Sequence, residues 1–271
     1  MTDWDPELYN RFRAYRAEPF EAILERLKLA PDERLIDLGC GSGENTIELA
    51  RRVPRGSAVG LDSSPAMIEQ ANRLRAALDV DLAARLRFEL GDIARFDARE
   101  RYTLVFSNAA LQWLDDRRAA LQACYRALVP GGRMVVQMPS NHEELYHKVL
   151  SGLIREEPWR FMIKTEREPL HLEVEGPEHY SDVLASIGFD QIDCYYQTFK
   201  HPMRSTAEIV EWSRATTLRP LLKELPENRR EEFAAIWQVR LERAYGTTGA
   251  LIFPFRRVFL WGRRPPKRDG R

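Results

Sequence analysis

Apolar residues recur along this chain at two spacings. In "PFEAILERLKL" Phe20, Ile23, Leu24 and Leu27 return every three or four positions with charges between them, which predicts a helix with Pro19 near its start. "RLIDLGC" (34–40) is a short apolar run stopped by glycine and predicts a buried strand, with "GENTIELARRV" as the helix after it. "GSAVGLDSS" predicts a second strand. "SPAMIEQANRLRAAL" predicts a helix with Ser64 as N-cap and Pro65 at its first position. "RLRFELGDI" reads as a third strand, and "YTLVFSNAALQWL" as a fourth that runs into a loop. "RRAALQACYRALVPGG" is a helix that Pro130, Gly131 and Gly132 terminate, and "RMVVQMP" is a fifth strand. Strand and helix alternate to about residue 140, the pattern of an open parallel α/β sheet with both faces covered. Such sheets bind ligands beyond the carboxyl ends of their strands, near the topological switch point.

After Met138 the rhythm breaks. Residues 141–177 are rich in charge, histidine and aromatics and predict no clear strand. "HYSDVLASIGFDQIDCYYQTF" predicts a helix stopped at Gly188 and then a strand. "TAEIVEWSRATTL" and "ENRREEFAAIWQVRLERAY" predict helices, with Trp212 and Trp237 on their core faces, and "LIFPFRRVFLWGRR" predicts a closing strand. The tail "PPKRDGR" (265–271) reads as disordered.

Composition narrows the function. A length of 271 residues suits one large domain or a core with a smaller cap, and 44% hydrophobic residues can fill a sizeable core. Lys+Arg and Asp+Glu both total 41, so the net charge is zero, which argues against a nucleic-acid partner and leaves room for a local basic pocket. Cys40, Cys124 and Cys194 are scattered, with no metal-ligand spacing, and fit a reducing, cytoplasmic compartment. The first twenty residues lack a signal-peptide core, and no apolar run is long enough to span a bilayer.

The glycine turn "DLGCGSG" carries the chemistry. Glycines between a strand and a helix let backbone approach a ligand closely. A dinucleotide fingerprint would place Gly or Ala at the sixth position from Gly39; Glu44 stands there, where phosphates need positive potential. No Lys-Ser/Thr pair follows the glycines, so the phosphate loop of nucleotide-hydrolysing enzymes is also excluded. Asp62 ends the second strand and can accept hydrogen bonds from both hydroxyls of a ribose. Asp92 follows the third strand, placed to meet an adenine amino group with Ile93 beside the ring. Alone, each of these is a turn or a helix cap; together they describe a nucleoside without phosphate, S-adenosyl-L-methionine (SAM), with Asp37 favouring its sulfonium charge.

At these residues the chain resembles the class I SAM-dependent methyltransferases: "DLGCGSG" at 37–43, "GLDSSPAMIEQA" at 60–71, "GDI" at 91–93, "SNAALQWL" at 107–114 and "LVPGGRMVVQMP" at 128–139. More narrowly the whole chain resembles the trans-aconitate methyltransferases, through "DWDPELY" at 3–9, "VQMPSN" at 136–141, "REPL" at 167–170, "TLRPLL" at 217–222 and "RVFLWGRR" at 257–264, departing from their pattern at Thr217. The resemblance implies a Rossmann-like, mostly parallel sheet with an antiparallel final strand and a helical cap. It implies a lid and first helix at 1–30 and a SAM-binding core at 31–140. The helical substrate cap falls at 141–177 and 200–250, with returns to the sheet at 178–199 and 251–264. It implies SAM as cofactor, S-adenosyl-L-homocysteine as product, and a monomethyl ester of a small polycarboxylic acid as the other product. Gly39, Gly41 and Gly43 would line the methionine and ribose, and Asp37, Asp62, Ser63, Met67, Asp92, Ile93 and Asn108 would complete the cofactor site. Tyr9 and Arg16 would close over it from the lid, although Arg16 also reads as a surface helix charge. Leu111, Gln112 and Trp113 would lie near the transferred methyl.

A carboxylate is ionised at neutral pH, so no general base is expected; cations should grip the carboxylates that do not react. The substrate-binding candidates are Gln112, Trp113, Tyr146, Tyr195, Arg219 and Arg257, with Arg256, His142, Tyr180, Tyr196 and His201 behind them. Arg257 leads, since it matches the family by position and strand alternation turns Arg256 to the opposite face. For each His and Tyr, core packing is the competing reading. Esterification of a malonyl group on a carrier protein, methylation of a hydroxyl or amine, a SAM-binding partner module and a dehydrogenase are the alternatives. Carrier docking lacks an obvious basic surface, "NAALQWL" offers no base for a hydroxyl or amine, and Glu44 opposes the dehydrogenase. The partner is a small anionic acid, with no nucleic acid and no membrane; the oligomeric state stays open.

Overall fold

Helix α1 spans Pro6–Arg26 in the computed structural model, which describes residues 6–163, 174–214 and 217–267 and, at 6–11 and 13, the backbone alone. Pro19 lies inside α1 rather than near its start. Its missing N–H leaves one carbonyl of the helix without its usual bond, but buried Phe12, Phe20 and Ile23 hold the segment to apolar neighbours on both sides of the proline.

The chain continues as β1 (Arg34–Leu38), α2 (Glu44–Arg51), β2 (Ser57–Asp62), α3 (Pro65–Ala76), α4 (Val80–Ala84), β3 (Leu86–Leu90), β4 (Tyr102–Asn108), α5 (Arg117–Ala127) and β5 (Leu128–Pro139). Then follow α6 (Leu145–Ile154), α7 (Trp159–Met162), α8 (Pro177–Ile187), β6 (Asp190–Met203), α9 (Thr206–Arg214), α10 (Leu218–Glu224), α11 (Glu227–Tyr245) and β7 (Leu251–Arg263). One sheet of seven strands runs β3-β2-β1-β4-β5-β7-β6. β1 pairs in parallel with β2 (Arg34 opposite Ser57, Leu38 opposite Leu61) and with β4, and β2–β3 and β4–β5 are parallel too. β7 runs against β5: Gly131 N–H bonds the Arg264 carbonyl, while nine residues on Ser140 N–H bonds the Arg256 carbonyl. β1, β2 and β4 are buried along nearly their whole length, as strands covered on both faces must be, and the edge strand β3 alternates with Leu86 and Phe88 inward. Strand order reverses between β1 and β4, which makes their carboxyl ends the switch point.

Ser64 caps α3 as its sequence predicts, its hydroxyl accepting from Met67 N–H. α5 stops at Ala127, and β5 starts at the next residue instead of after a glycine loop. Pro130 has no N–H for the ladder, and the β4–β5 register shifts between Tyr102 and Leu104 to accommodate the irregular stretch. α4 was not legible as a separate helix; Asp79, accepting from Leu82 N–H, starts it.

The described residues form two compact units. One takes in Pro19–Pro139, Glu175–Gln197 and Val258–Arg271 and carries β1–β5 with their helices; the other takes in Met1–Glu18, Ser140–Val174 and Thr198–Arg257. The second has its own apolar core, in which Tyr146 of α6, Trp212 of α9, Phe233 and Trp237 of α11 and Phe253 of β7 are buried. Burying a phenylalanine of this kind stabilises by about 1.5–3 kcal/mol over leaving it exposed, so this unit has the means to hold its own helices. Among the described residues no helix is long and apolar enough to cross a membrane.

Candidate functional site

β1 ends in three glycines in the left-handed region, Gly39 (φ 78°), Gly41 (φ 53°) and Gly43 (φ 84°). A Cβ on Gly39 would stand 2.1 Å from the Ala110 Cβ and 3.3 Å from Ile93 Cδ1. Gly39 is therefore the point where the loops leaving β1, β3 and β4 meet, and only a residue without a side chain fits there. A Cβ on Gly41 would meet nothing within 4 Å, so that side of the loop backbone is open to a ligand. The loop is pinned to β2: Gly39 and Cys40 N–H both donate to the Leu61 carbonyl, at 2.8 and 3.0 Å.

Asp62 joins this loop to the start of α3. Gly41 N–H donates to Asp62 Oδ2 and Ser64 N–H to Oδ1, each at 2.9 Å. A carboxylate has about four acceptor positions, so about two remain for hydroxyls of a ligand. Asp92 is exposed and heads a 3-10 turn over Ile93–Arg95, accepting from Ala94 N–H at 2.9 Å. Ser63 and Met67 are exposed nearby in sequence. Asp37 is buried, and Thr46 Oγ1 donates to its Oδ2 at 2.6 Å, which ties α2 to β1. Burial, with Asp62 adding and the Thr46 bond opposing, lifts its pKa to about 7.

The exit of β4 forms the other wall. Ala109 takes φ 55°, a strained value for a residue with a side chain. Two bonds hold it there: its N–H donates to the Gln137 carbonyl at 2.9 Å, and its carbonyl accepts from Gln112 Nε2 at 2.7 Å. Ser107 Oγ donates to the Leu38 carbonyl at 2.7 Å and locks β4 to β1. Asn108 Oδ1, Gln112 Oε1 and both amide atoms of Gln137 are buried without partners. An unsatisfied buried polar atom costs about 1–3 kcal/mol, so these are the atoms a ligand at the switch point would satisfy. An open glycine backbone, two carboxylates with free acceptor positions, unpartnered amide oxygens and Glu44 opening α2 fit a nucleoside that carries no phosphate.

The second unit holds a buried cation. β7 sends Phe253, Phe255 and Arg257 to one buried face, while Arg256 is half-buried and its Nε donates to the Ser140 carbonyl at 3.0 Å. Arg257 is 6% exposed, its guanidinium 4.4 Å from the Phe255 ring centre and its Nε without a partner. Burial draws its pKa down to about 9, with Tyr146 and Glu18 opposing and Arg16 adding, so it stays charged at neutral pH. The Tyr146 hydroxyl and Asn141 Oδ1 are buried and unpartnered, and desolvation pushes Tyr146 well above the usual phenol range. His201 stacks on Tyr15 at 4.4 Å, and its Nδ1 lies 3.6 Å from Glu18 Oε1. Arg16 sits 5.2 Å over the Trp212 ring. A buried guanidinium beside unsatisfied polar atoms has the chemistry to take an anion.

Residues 29–169 match the family profile described as "Methyltransferase domain". Trans-aconitate 2-methyltransferase of Variovorax paradoxus (strain S110) is 36% identical over 265 residues, covering 96% of this chain and 98% of that protein. The enzyme of the same name from Escherichia coli O1:K1 / APEC is 36% identical over 267 residues, covering 97% and 99%. The chain belongs to the trans-aconitate 2-methyltransferase family. Among solved structures, phosphoethanolamine N-methyltransferase 2 of Haemonchus contortus, in complex with S-adenosyl-L-methionine, superposes with a TM-score of 0.57 at 19% identity, covering 92% of this chain and 52% of that one. At that identity the likeness bears on the fold, a class I methyltransferase sheet.

In this methyltransferase the expected cofactor residues Asp37, Gly39, Gly41, Gly43, Asp62, Ser63, Met67, Asp92, Ile93 and Asn108 all lie in the unit that carries β1–β5. Arg16 belongs to the other unit, beside Trp212 and near Arg257. Tyr9 is in α1, with its side chain outside the described residues, as is the whole of "REPL" at 167–170. Of the substrate candidates, Tyr146 and Arg257 are both buried and act on each other electrostatically. Gln112 is buried and braces Ala109, and Trp113 is 62% exposed. Tyr195 stacks on Phe259 at 5.1 Å with Arg26 5.3 Å over its ring, within the unit of β1–β5, and Arg219 is exposed on α10. Gln137, Thr46, Ala110, Glu18 and Asn141 were missed. Gln137 left a signal, a polar residue inside the apolar run "RMVVQMP"; the pattern of apolar and polar positions marks none of the others.

Proposed function

We propose that the protein transfers the methyl group of SAM to a carboxylate oxygen of trans-aconitate, giving the monomethyl ester and S-adenosyl-L-homocysteine. The observation that carries the reading is Arg257, a buried cation with an unpartnered Nε beside an unpartnered tyrosine hydroxyl, in a chain whose relatives bear that enzyme name. Gly39, Gly41, Asp62 and Asp92 would hold the nucleoside, Asn108 and Gln112 the methionine end, and Arg257 with Tyr146 the acid. Bound SAM supplies an electrophilic methyl on a sulfonium. The chain then needs no general base: the acid arrives ionised, and the protein's part is to orient it and strip water from the attacking oxygen. Arg257 would serve best on a carboxylate that does not react, since a cation on the attacking oxygen would blunt it. A cytoplasmic setting is part of the proposal, supported by free Cys40, Cys124 and Cys194.

The test is a panel of initial rates with SAM and trans-aconitate, other tri- and dicarboxylates, and malonyl-carrier protein. The reading expects the highest kcat/KM for trans-aconitate. A preference for the carrier protein or for an uncharged alcohol or amine would overturn it.

A further inference from the structure

Asn141 carries a buried amide that its own fold does not use. The residue is 5% exposed, and its Oδ1 is buried without a hydrogen-bond partner. The backbone around it, by contrast, is fully engaged. Ser140 N–H donates to the Arg256 carbonyl and Arg256 Nε to the Ser140 carbonyl, both at 3.0 Å, and Ser140 Oγ donates to the Val174 carbonyl at 3.2 Å. The Asn141 carbonyl accepts from Glu144 N–H at 2.8 Å. Helix α6 starts at the next residue with no side-chain cap, so the Asn141 amide is not spent on starting it. An asparagine fixed this firmly with its amide left over is placed to meet a ligand.

Its neighbours are the two groups proposed for the acid. The Tyr146 ring packs against His147, at 4.3 Å between ring centres, and against Phe253, at 4.9 Å, and its hydroxyl is buried and unpartnered. Burial keeps the proton on that hydroxyl, while Asn141 and then Arg257 favour its loss, which puts both within reach of it. Arg257 lies over Phe255 with its Nε unpartnered. The loop after β5, helix α6 and strand β7 thus each bring one side chain, an amide, a phenol and a guanidinium. All three are more than nine-tenths buried, and each has an orphaned polar atom.

On the function proposed above, on which this inference rests, one carboxylate of trans-aconitate reacts and Arg257 has a fork for another. The remaining one also needs donors. We propose that Asn141, with the Tyr146 hydroxyl beside it, binds that third carboxylate and makes the site select tricarboxylates over dicarboxylates. An asparagine amide has a donor end and an acceptor end, and half a turn exchanges them, so the orphaned position can present an N–H when an anion arrives. A site built to hydrogen-bond a group rejects the analogue that lacks it, because its buried polar atoms are then left unpaired.

Calorimetry on the intact protein with S-adenosyl-L-homocysteine present decides this. The ligands are trans-aconitate and the three dicarboxylates made by deleting one of its carboxyl groups: mesaconate, itaconate and cis-glutaconate. Asn141→Leu keeps the branched shape and removes the amide. We expect its Kd to rise about 10- to 100-fold for trans-aconitate and for two of the dicarboxylates, and to change less than about twofold for the one lacking the carboxylate that Asn141 binds. Asn141→Asp, which sets a carboxylate against a carboxylate, should show the same pattern with a larger loss. Unchanged affinity for S-adenosyl-L-homocysteine reports that a variant is folded, and if Asn141→Leu fails that check, Asn141→Asp decides. No loss of affinity, or an equal loss for all four acids, would overturn the proposal, and so would a wild type that binds all three dicarboxylates as tightly as trans-aconitate. A wild type that does not bind trans-aconitate at all would overturn the substrate reading and this inference with it, a distinct result.

Discussion

Asp62 fixes the Gly41 and Ser64 amides with one carboxylate and, on the proposed function, has acceptor positions left for a ribose. Asp62→Asn keeps the shape and removes the charge. A hydrogen bond to a charged group contributes about 1.5–3 kcal/mol, so the Kd for SAM should rise about 10- to 100-fold, read by calorimetry, with little change in the KM for the acid. Arg257→Lys should do the reverse: a lysine keeps the charge but loses the planar fork, so the acid's KM rises while the Kd for SAM stays put. Equal losses of SAM affinity in both variants would contradict this division. Gly39→Ala would push a Cβ to 2.1 Å from Ala110 in a left-handed backbone; the strained backbone alone costs about 1–3 kcal/mol, visible as a lower Tm and weakened SAM binding.

Elements were legible where the pattern was local. The alternation through residue 140 showed every strand of the parallel sheet, and Ser64-Pro65 announced α3, because caps and buried runs write themselves into consecutive residues. The N-terminal half of α1 was not legible, since Pro19 reads as a helix start and the helix runs through it. β5 was read too short because "PGG" spells a loop, while tertiary pairing keeps it in the sheet. The bracing of Ala109 by the Gln137 carbonyl was invisible for the same reason: it joins residues 28 apart in sequence. α5 offers a simple test at this scale. Asp116 caps it by accepting from Ala119 N–H at 2.8 Å, so Asp116→Ala should cost about 1 kcal/mol of stability in a urea or thermal melt, with SAM affinity retained.

For the whole molecule, zero net charge hides a division of chemistry: one unit carries carboxylates at strand ends, the other a buried arginine. The sequence singled out Asp62 and Arg257 from their positions in the motifs, yet could not say that Asp37 is sealed against Thr46. That burial has a pH signature. Its folded pKa of about 7 lies above the ordinary aspartate value of 3.8, so the stability it brings is complete below the unfolded pKa and is lost as pH rises through about 7. Asp37→Asn, able to keep a bond to Thr46, should flatten the fall in Tm between pH 4 and pH 8; an unchanged slope would place the titration elsewhere. The most direct measurement of the central claim is the fate of a labelled methyl group. Incubated with methyl-labelled SAM and trans-aconitate, the protein should move the label onto the acid as an ester that mild base releases as methanol. SAM that binds normally while no label reaches any acid would contradict the account.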